Sequence, residues 1–269
     1  MIVCFIFAGA ALAWFIVAEL RNPAPLLQIR LLAERNFGIS MAVLTLFAIG
    51  MLGGTYLLPL YMQRGLGYTA LAAGSMFLPV GVIQGVLSAV SGYLTRYVRP
   101  LLLSAAGILI MALSFWLASR FTLHTTHGHI LFILYLRGFG MGLTFAPLNL
   151  FSLKNLTQQD MAAAAGISNS IKQLAGSIGI ALLTVIFSAR TSYHAAHETV
   201  SAAQTYVEGV TDALRVVAVI TLAALLPLLW VFRKKRPGKS GVKGAATPSP
   251  GEAVSGKTDK TTIYRTKPE

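Results

Sequence analysis

One arginine lies deep in an apolar stretch of this 269-residue chain. Arg137 follows the apolar residues Leu131–Leu134 and precedes the largely apolar residues Leu143–Leu150. An arginine near the centre of a bilayer costs roughly 2.5–3.5 kcal/mol on insertion scales, so membrane proteins keep one where it faces a polar cavity or a partner. Arg137 is therefore a candidate transport residue. The alternative is an arginine that packs within a helix bundle or extends towards the interface.

A lysine and two amides occupy a second apolar stretch. Lys172 and Gln173 follow Asn169 by three and four residues, which places all three on one face of a helix. Lys172 either extends towards lipid headgroups or faces a cavity. In a cavity the group would contact an anionic or amphipathic substrate, and otherwise it would bond neighbouring helices. Other polar residues in the apolar stretches are further cavity candidates: Tyr56, Tyr61, Gln63, Gln84 and Asn149.

Carboxylates are missing from the middle of every apolar stretch. None of the nine Asp and Glu residues lies there, and Asp212 at the edge of the last stretch is expected to pair with Arg215. Proton-driven transport usually requires a carboxylate or a histidine that titrates inside the membrane. The proton carrier of any proton-driven transporter built from this chain must therefore come from elsewhere.

Other function classes lack the residues that they need. A retinal protein requires a lysine in its last span, which here has only Arg215, and a typical seven-helix receptor requires a disulfide that the single Cys4 cannot form. The sequence His124-x-x-His127-x-His129 has the spacing of metal ligands but no carboxylate nearby. We expect no metal, no cofactor and no catalytic site.

The composition predicts an all-α polytopic membrane protein. Hydrophobic residues make up 55% of the chain and charged residues 12%, about half of the usual charged fraction of a soluble domain. The mean hydropathy is +0.67. Seven stretches can cross the hydrocarbon core of a bilayer. The predicted spans are residues 1–18, 38–61, 70–92, 99–119, 129–151, 166–189 and 211–232.

The basic residues predict the orientation of these spans. Ten of the 22 Lys and Arg follow Val231, beginning with Arg233–Arg236 directly behind the last span. Basic residues remain on the cytoplasmic side of a membrane. With seven spans, this places the amino terminus outside and the carboxy terminus in the cytoplasm.

The segments outside the bundle each have a predicted role. Residues 1–18 lack a basic region and a cleavage site, so we expect a retained span rather than a signal peptide. Residues 19–37 are a cytoplasmic connector with a short interfacial helix. Residues 190–210 are a polar outer loop, and residues 233–269 are a disordered basic tail.

Small residues and prolines recur inside the spans. Small residues let helices approach closely in lipid, and prolines kink or locally break a helix. Both features suit helices that move around a cavity, and both also occur in tightly packed bundles. The residues concerned are Gly50, Gly54, Gly81, Gly85, Gly138, Gly140, Gly142, Gly176 and Gly179, with Pro59, Pro79 and Pro147.

Several segments, taken in order, resemble the carboxy-terminal half of a major facilitator superfamily transporter. More narrowly, they resemble the fourteen-span drug:proton antiporter branch of the EmrB/QacA type. The resemblance covers about residues 1–232. The segments are Pro25-Leu-Leu27, Arg35-Asn-Phe37, Leu57-Leu-Pro-Leu-Tyr-Met-Gln63, Gly67-Tyr-Thr-Ala-Leu-Ala-Ala-Gly74, Leu78-Pro79 and Gly166-Ile-Ser-Asn-Ser-Ile-Lys-Gln-Leu-Ala-Gly-Ser-Ile-Gly179.

Two further segments resemble motifs of this superfamily. Gly92-Tyr-Leu-Thr-Arg-Tyr-Val-Arg99 resembles the Gly-x-Leu-x-Asp-Arg loop whose charges lock one conformation, and it keeps Arg96 and Arg99 but not the aspartate. Arg137-Gly-Phe-Gly140 resembles the Arg-x-x-Gln-Gly motif, whose arginine the family links to proton coupling, without its glutamine. By resemblance, Gly92, Arg96 and Arg99 form a conformational lock, and Arg137 couples protons to transport.

The resemblance implies a proton-coupled multidrug exporter of the bacterial inner membrane. Residues 1–18 would be an extra span, and residues 38–232 one complete six-helix bundle made of two three-helix inverted repeats. Its substrates would be amphipathic, often cationic compounds bound between two bundles. Implied partners are protons, the bilayer, a missing amino-terminal half and a periplasmic adaptor. The alternative is a half-transporter subunit, or an inactive fragment, that needs a separate amino-terminal half.

Overall fold

A computed structural model describes residues 14, 29–154, 156–158, 160–197 and 201–234 of the chain. The α-helices are α1 (Arg35–Leu60), α2 (Ala70–Ser75), α3 (Leu78–Leu94), α4 (Pro100–Ala118), α5 (His127–Leu153), α6 (Asp160–His197), α7 (Ala202–Ala223) and α8 (Leu225–Lys234). A 3-10 helix, Ile29–Ala33, precedes α1, and a π-helix, Tyr61–Gly65, continues it.

Six helical segments of the described residues are long and apolar enough to cross a membrane. They correspond in order to predicted spans two to seven, so the all-α polytopic fold is confirmed. The first predicted span lies outside the described residues except for Trp14, as does the tail beyond residue 234. The segments are Arg35–Gly65, Ala70–Leu94, Pro100–Ala118, His127–Leu153, Asp160–Ala196 and Ala202–Trp230.

Prolines interrupt several of these segments, because proline removes a backbone donor and its ring crowds the preceding turn. Pro79 lies in the first turn of α3, where the second segment is divided into α2 and α3. Pro227 likewise lies in the first turn of α8, where the last segment is divided into α7 and α8. Pro59 lies near the end of α1, just before the backbone widens into the π-helix. Pro147 lies inside α5.

Several helix contacts repeat between the first three segments and the last three, although the contact between α6 and α7 has no comparable counterpart between α3 and α4. Helix α1 packs against α6 as α5 packs against α3, and α4 packs against α5 as α7 packs against α1. Helices α1 and α5 also contact each other, as do α4 and α7. Exchanging the two sets of three segments therefore maps these contacts onto one another. Two inverted three-helix repeats are expected to give this pattern.

The alternating glycines of α5 face two different helices. Residues four apart share one face of a helix, and the residue midway between them points away from that face. A β-carbon added at Gly138 or Gly142 would meet α3. One added at Gly140 would lie 2.8 Å from the Met111 nitrogen and 3.0 Å from the Gly107 oxygen of α4. These glycines bring α5 into backbone contact with both neighbours.

Two residues of the family-like segment after α1 have local backbone roles. Gly67 adopts a left-handed conformation with φ of 72°, which costs a glycine little. Two residues later, the Thr69 side chain accepts a hydrogen bond from the Ala72 nitrogen and so caps α2. Together they turn the chain from the first segment into the second.

The prediction of a polar loop over residues 190–210 was wrong. Helix α6 continues to His197, and α7 already begins at Ala202. A helix of 38 residues is about 57 Å long and exceeds the hydrocarbon thickness of a bilayer. The segment therefore extends two helices instead of forming a loop.

Charged side chains hold these helical extensions together. Two ring atoms of His194 contact two carboxylates of α7: Nε2 lies 3.1 Å from Asp212 Oδ2 and Nδ1 lies 3.5 Å from Glu208 Oε2. The predicted pair is confirmed, since Arg215 Nη1 donates to Asp212 Oδ1 at 3.0 Å. Arg190 Nε lies 3.9 Å from Asp212 Oδ2. The sequence prediction relied on apolar residues at helical spacing. The polar contacts that hold these two helix ends together leave no such pattern, so the segment was predicted to be a loop.

Replacing Gly140 by alanine is expected to destabilise the bundle by about 1–3 kcal/mol, because the added methyl group would meet the backbone of α4. The measurement is the midpoint of thermal aggregation in detergent. The matched control is Gly128→Ala in the same helix, where nothing lies within 4 Å of the added β-carbon. Equal midpoints for the two variants would contradict the close α4–α5 contact.

Asp212→Asn is expected to loosen the extensions of α6 and α7. The change removes the charge that contacts His194, Arg190 and Arg215. Partly exposed pairs contribute about 1 kcal/mol, which corresponds to a midpoint lowered by about 2–4 °C. Asp160→Asn is the control, since the described partner of Asp160 is the Thr157 hydroxyl. A midpoint for Asp212→Asn that matches the unmodified protein would rule out a stabilising cluster.

Candidate functional site

A cavity of about 300 Å³ lies between α1, α5 and α6. Three of the predicted cavity residues line it together: Asn149 from α5, and Asn169 and Lys172 from α6. Apolar side chains form the rest of the wall with two serines. The remaining lining residues are Leu44, Phe145, Ser152, Leu153, Ala165 and Ser168. The cavity is therefore amphipathic, with one cation in an otherwise neutral wall.

Lys172 is half-buried in this wall. Its Nζ lies 6.0 Å from the centroid of the Phe145 ring, at the outer limit of a cation–π attraction. Among the described residues it forms no ion pair. Asp160 begins the same helix about 18 Å away along its axis, and His194, which holds the carboxylates of α7, lies about 33 Å away. Lys172 thus lines the cavity, and its role as a substrate contact stays a prediction.

Some polar groups of the cavity form hydrogen bonds within the protein, and others form none with a described residue. The Ser152 hydroxyl donates to the Asn149 carbonyl oxygen at 2.8 Å, and the Ser168 hydroxyl donates to the Ala164 carbonyl oxygen at 2.8 Å. These bonds stay within their own helices. The side-chain amides of Asn149 and Asn169 make no hydrogen bond with a described residue, so they are available to a bound molecule.

The other predicted cavity residues lie elsewhere on the bundle. Gln173 is exposed beside the cavity, Tyr56 of α1 is exposed, and Gln84 is half-buried on α3. Gln63 is exposed in the π-helix. Tyr61 is fully buried, and its hydroxyl donates to the Thr122 carbonyl oxygen at 2.7 Å. Tyr61 thus fastens the end of the first segment to the loop after α4.

Arg137 is buried in the bundle and does not line the cavity. It is only 2% exposed. Its Nη2 donates to the Met51 carbonyl oxygen at 3.0 Å and also contacts Thr55 Oγ1, and Nη1 lies 3.4 Å from the Gly54 carbonyl oxygen. The guanidinium carbon lies 5.3 Å from the centroid of the Phe115 ring. Within the described residues, oxygen atoms of α1 accept hydrogen bonds from both terminal nitrogens of Arg137, whereas its buried Nε has no partner and no carboxylate faces the guanidinium.

Sequence reasoning missed the partners of Arg137. The acceptors are backbone oxygens, which every residue carries, and α1 presents them because Gly54 leaves room for a neighbour. A β-carbon at Gly54 would overlap the Phe115 ring. The sequence signal that marks this site is the Gly53-Gly54-Thr55 run in an otherwise apolar helix.

The predicted lock residues lie between the second and third segments. Gly92 belongs to α3, Arg96 follows that helix, and Arg99 directly precedes α4 without a side-chain capping bond. Both arginines are exposed, and Arg96 contacts the Tyr93 ring at 5.4 Å from its centroid. The Tyr93 and Tyr97 hydroxyls are 3.3 Å apart, and this hydrogen bond raises the pKa of Tyr97. Neither arginine pairs with an acid in the described part of the chain, so the lock stays a prediction.

Two histidines of the His124-x-x-His127-x-His129 sequence contact aromatic rings. The His127 ring lies 6.2 Å from that of Tyr68, and the His129 ring lies 6.2 Å from that of Phe121. The described residues contain no group of three or more His, Cys, Asp or Glu placed to hold a metal.

Comparison with known families gives a match to the Major Facilitator Superfamily over residues 1–180. The chain is 32% identical over 202 residues to the multidrug export protein EmrB of Escherichia coli (strain K12). The aligned residues are 75% of this chain and 40% of EmrB. It is 30% identical over 189 residues to the uncharacterized MFS-type transporter YhcA of Bacillus subtilis (strain 168), covering 70% of this chain and 36% of YhcA.

A third relative is the fatty acid resistance protein FarB of Neisseria gonorrhoeae. The chain is 29% identical to it over 187 residues, which are 70% of this chain and 37% of FarB. The matched part is thus well under half of the length of each of these relatives. The helix arrangement, the motifs and the matched residues agree: the chain belongs to the Major Facilitator Superfamily, whose members are multi-pass membrane transporters of small molecules rather than enzymes, and it resembles the EmrB-type branch.

Proposed function

We propose that the chain is the carboxy-terminal part of a proton-coupled multidrug efflux transporter that works by alternating access. The observation that carries this proposal is the amphipathic cavity that Lys172, Asn149 and Asn169 line in a chain of this superfamily. Two relatives are named for multidrug export and for fatty acid resistance, which supports amphipathic substrates. The often cationic compounds implied by the motifs would need carboxylates from another part of the protein.

An amino-terminal half is the proposed partner of this bundle. Helices α3 and α6 expose apolar stripes at spacings of three or four residues. Gly81 and Gly85 on α3 have nothing within 4 Å of an added β-carbon, which leaves room for another helix to approach. The exposed stripes are Leu78, Val82, Val86 and Val90 on α3, and Leu174, Ile178, Leu182 and Val185 on α6.

The alternative is that this half exists as a separate subunit or as an inactive fragment. A separate subunit would place the same α3 and α6 stripes against an independently encoded half. A fragment would leave them in lipid, and the cavity would keep a single wall. The size of the native protein separates these possibilities.

The proton carrier is proposed to lie in the amino-terminal half. The described acids, Glu34, Asp160, Glu208 and Asp212, lie outside the cavity wall. Arg137 would then contribute to coupling through its contact with α1, since a change in that contact would move α1 relative to α5. Gly92, Arg96 and Arg99 are proposed to lock one conformation with acids of the other half.

The proposed location is the bacterial inner membrane, with the amino terminus outside and the carboxy terminus in the cytoplasm. The basic run after the last span supports this orientation. A periplasmic adaptor is a further proposed partner. In this orientation the cavity lies in the cytoplasmic half of the bundle, because most of its lining residues belong to the end of α5 and the first part of α6.

The function is tested on native membranes with an antibody against residues 247–264. A band near about twice 28.7 kDa is expected for an exporter with two bundles. Everted vesicles that contain this protein should then take up a fluorescent amphipathic dye when a proton gradient is imposed. Vesicles from the same strain without the gene are the control. Full-size protein in the membrane without dye uptake would contradict the proposal.

Arg137→Ala is expected to abolish gradient-driven export while the protein still inserts. A coupling residue is needed for the proton-driven step only, so exchange of labelled for unlabelled dye without a gradient should persist. Thr55→Val is the matched control, because it removes one contact of Arg137 and keeps the charge. Normal gradient-driven export by Arg137→Ala would rule out coupling. Loss of exchange as well would assign Arg137 a purely structural role.

A further inference from the structure

The cavity holds a cation that the described protein leaves without a counter-ion. Lys172 lines the wall, makes no ion pair or hydrogen bond with a described residue, and only approaches the Phe145 ring at 6.0 Å. Arg137, by contrast, is surrounded by oxygen atoms of α1. Lys172 is half-buried, and Asn149 and Asn169 are exposed, so all three groups are open to a bound molecule. The lysine thus has the property of a binding group rather than of a packed one.

The groups around Lys172 suit the polar end of an anion. Asn169 lies one helical turn before it, and Asn149 lines the same cavity from α5. Both amides can donate hydrogen bonds, and neither is engaged by a described residue. The two serine hydroxyls donate within their own helices. An anionic group here would therefore accept one charged and up to two neutral donors.

The remainder of the wall suits an apolar body. Leu44, Phe145 and Leu153 contribute side chains without hydrogen-bonding groups. A volume of about 300 Å³ is at the lower end of ligand pockets, so it can enclose a headgroup and part of a chain. No carboxylate lines the wall, so a cationic headgroup would be repelled by Lys172 without compensation.

We propose that this half of the cavity is an anion site, in which Lys172 with Asn149 and Asn169 binds the headgroup of an amphipathic monoanion such as a fatty carboxylate. This inference rests on the proposed function, because it names the substrate class of the same cavity. It reverses the charge preference that the family motifs implied. The same chemistry also fits the phosphate of an anionic lipid.

The test uses the product of the complete gene, purified into nanodiscs of zwitterionic lipid at pH 8. Equilibrium binding is measured for dodecanoate, dodecyltrimethylammonium and an uncharged dodecyl ether. Dodecanoate should bind most tightly. Lys172→Met should weaken dodecanoate binding by about ten- to a hundredfold and leave the uncharged probe unchanged, as expected for the loss of one charged donor. Lys172→Arg should keep most of the affinity.

The matched control is Lys154→Met, which removes a lysine just beyond α5 that does not line the cavity. The site is overturned if dodecanoate binds Lys172→Met as tightly as the unmodified protein, or if all three probes weaken together. Repeating the binding measurement in nanodiscs with anionic lipid distinguishes a fatty carboxylate from a lipid phosphate as the bound anion. If dodecanoate cannot displace the anionic lipid, the bound anion is a lipid headgroup. If dodecanoate binding depends on Lys172 but the protein exports no dye, the proposed function is contradicted and the anion site stands. If the protein exports dye but dodecanoate binding does not depend on Lys172, the anion site alone is contradicted.

Discussion

A guanidinium buried in hydrocarbon must find its hydrogen-bond acceptors inside the helix bundle. In this protein the buried guanidinium is that of Arg137. The acceptors are carbonyl oxygens of Met51 and Gly54 and the hydroxyl of Thr55, all on α1, while Phe115 of α4 covers the cation. This requires α1, α4 and α5 to meet at one level. The glycines at that level permit it, because side chains there would hold the backbones apart.

The bundle treats its two intramembrane cations differently. Arg137 is fully enclosed, and oxygen atoms of α1 accept hydrogen bonds from both of its terminal nitrogens, so it holds α5 against α1. Lys172 is half-buried beside a cavity, and the described residues offer it one aromatic ring and no acid. A compensated charge stabilises, whereas an uncompensated one attracts a ligand or a partner. The difference in surroundings, and not the charge itself, separates the two proposed roles.

The proposed amino-terminal half would account for several features of this bundle. Its cavity is bounded by α1, α5 and α6, and α3 and α6 expose regular apolar stripes. Carboxylates that would carry protons are missing from the described cavity wall. All of these features would be explained by a second bundle that closes the cavity, covers the stripes and supplies the acids. The chain matches only 36% of YhcA and 40% of EmrB, which agrees with this interpretation.

The sequence by itself determined the membrane class, the order of six spans and the few polar residues inside them, because long apolar runs have hardly any other stable solution in a bilayer. Asn149, Asn169 and Lys172 could be named from polarity alone. Tertiary structure decided that these three residues line one cavity and that Tyr56, Gln84 and Gln173 do not. It also decided the helical extensions around His194 and the acceptors of Arg137. Apolar periodicity records which residues avoid water, but backbone oxygens are identical along the chain, and only the packing of helices decides which of them a buried charge can reach.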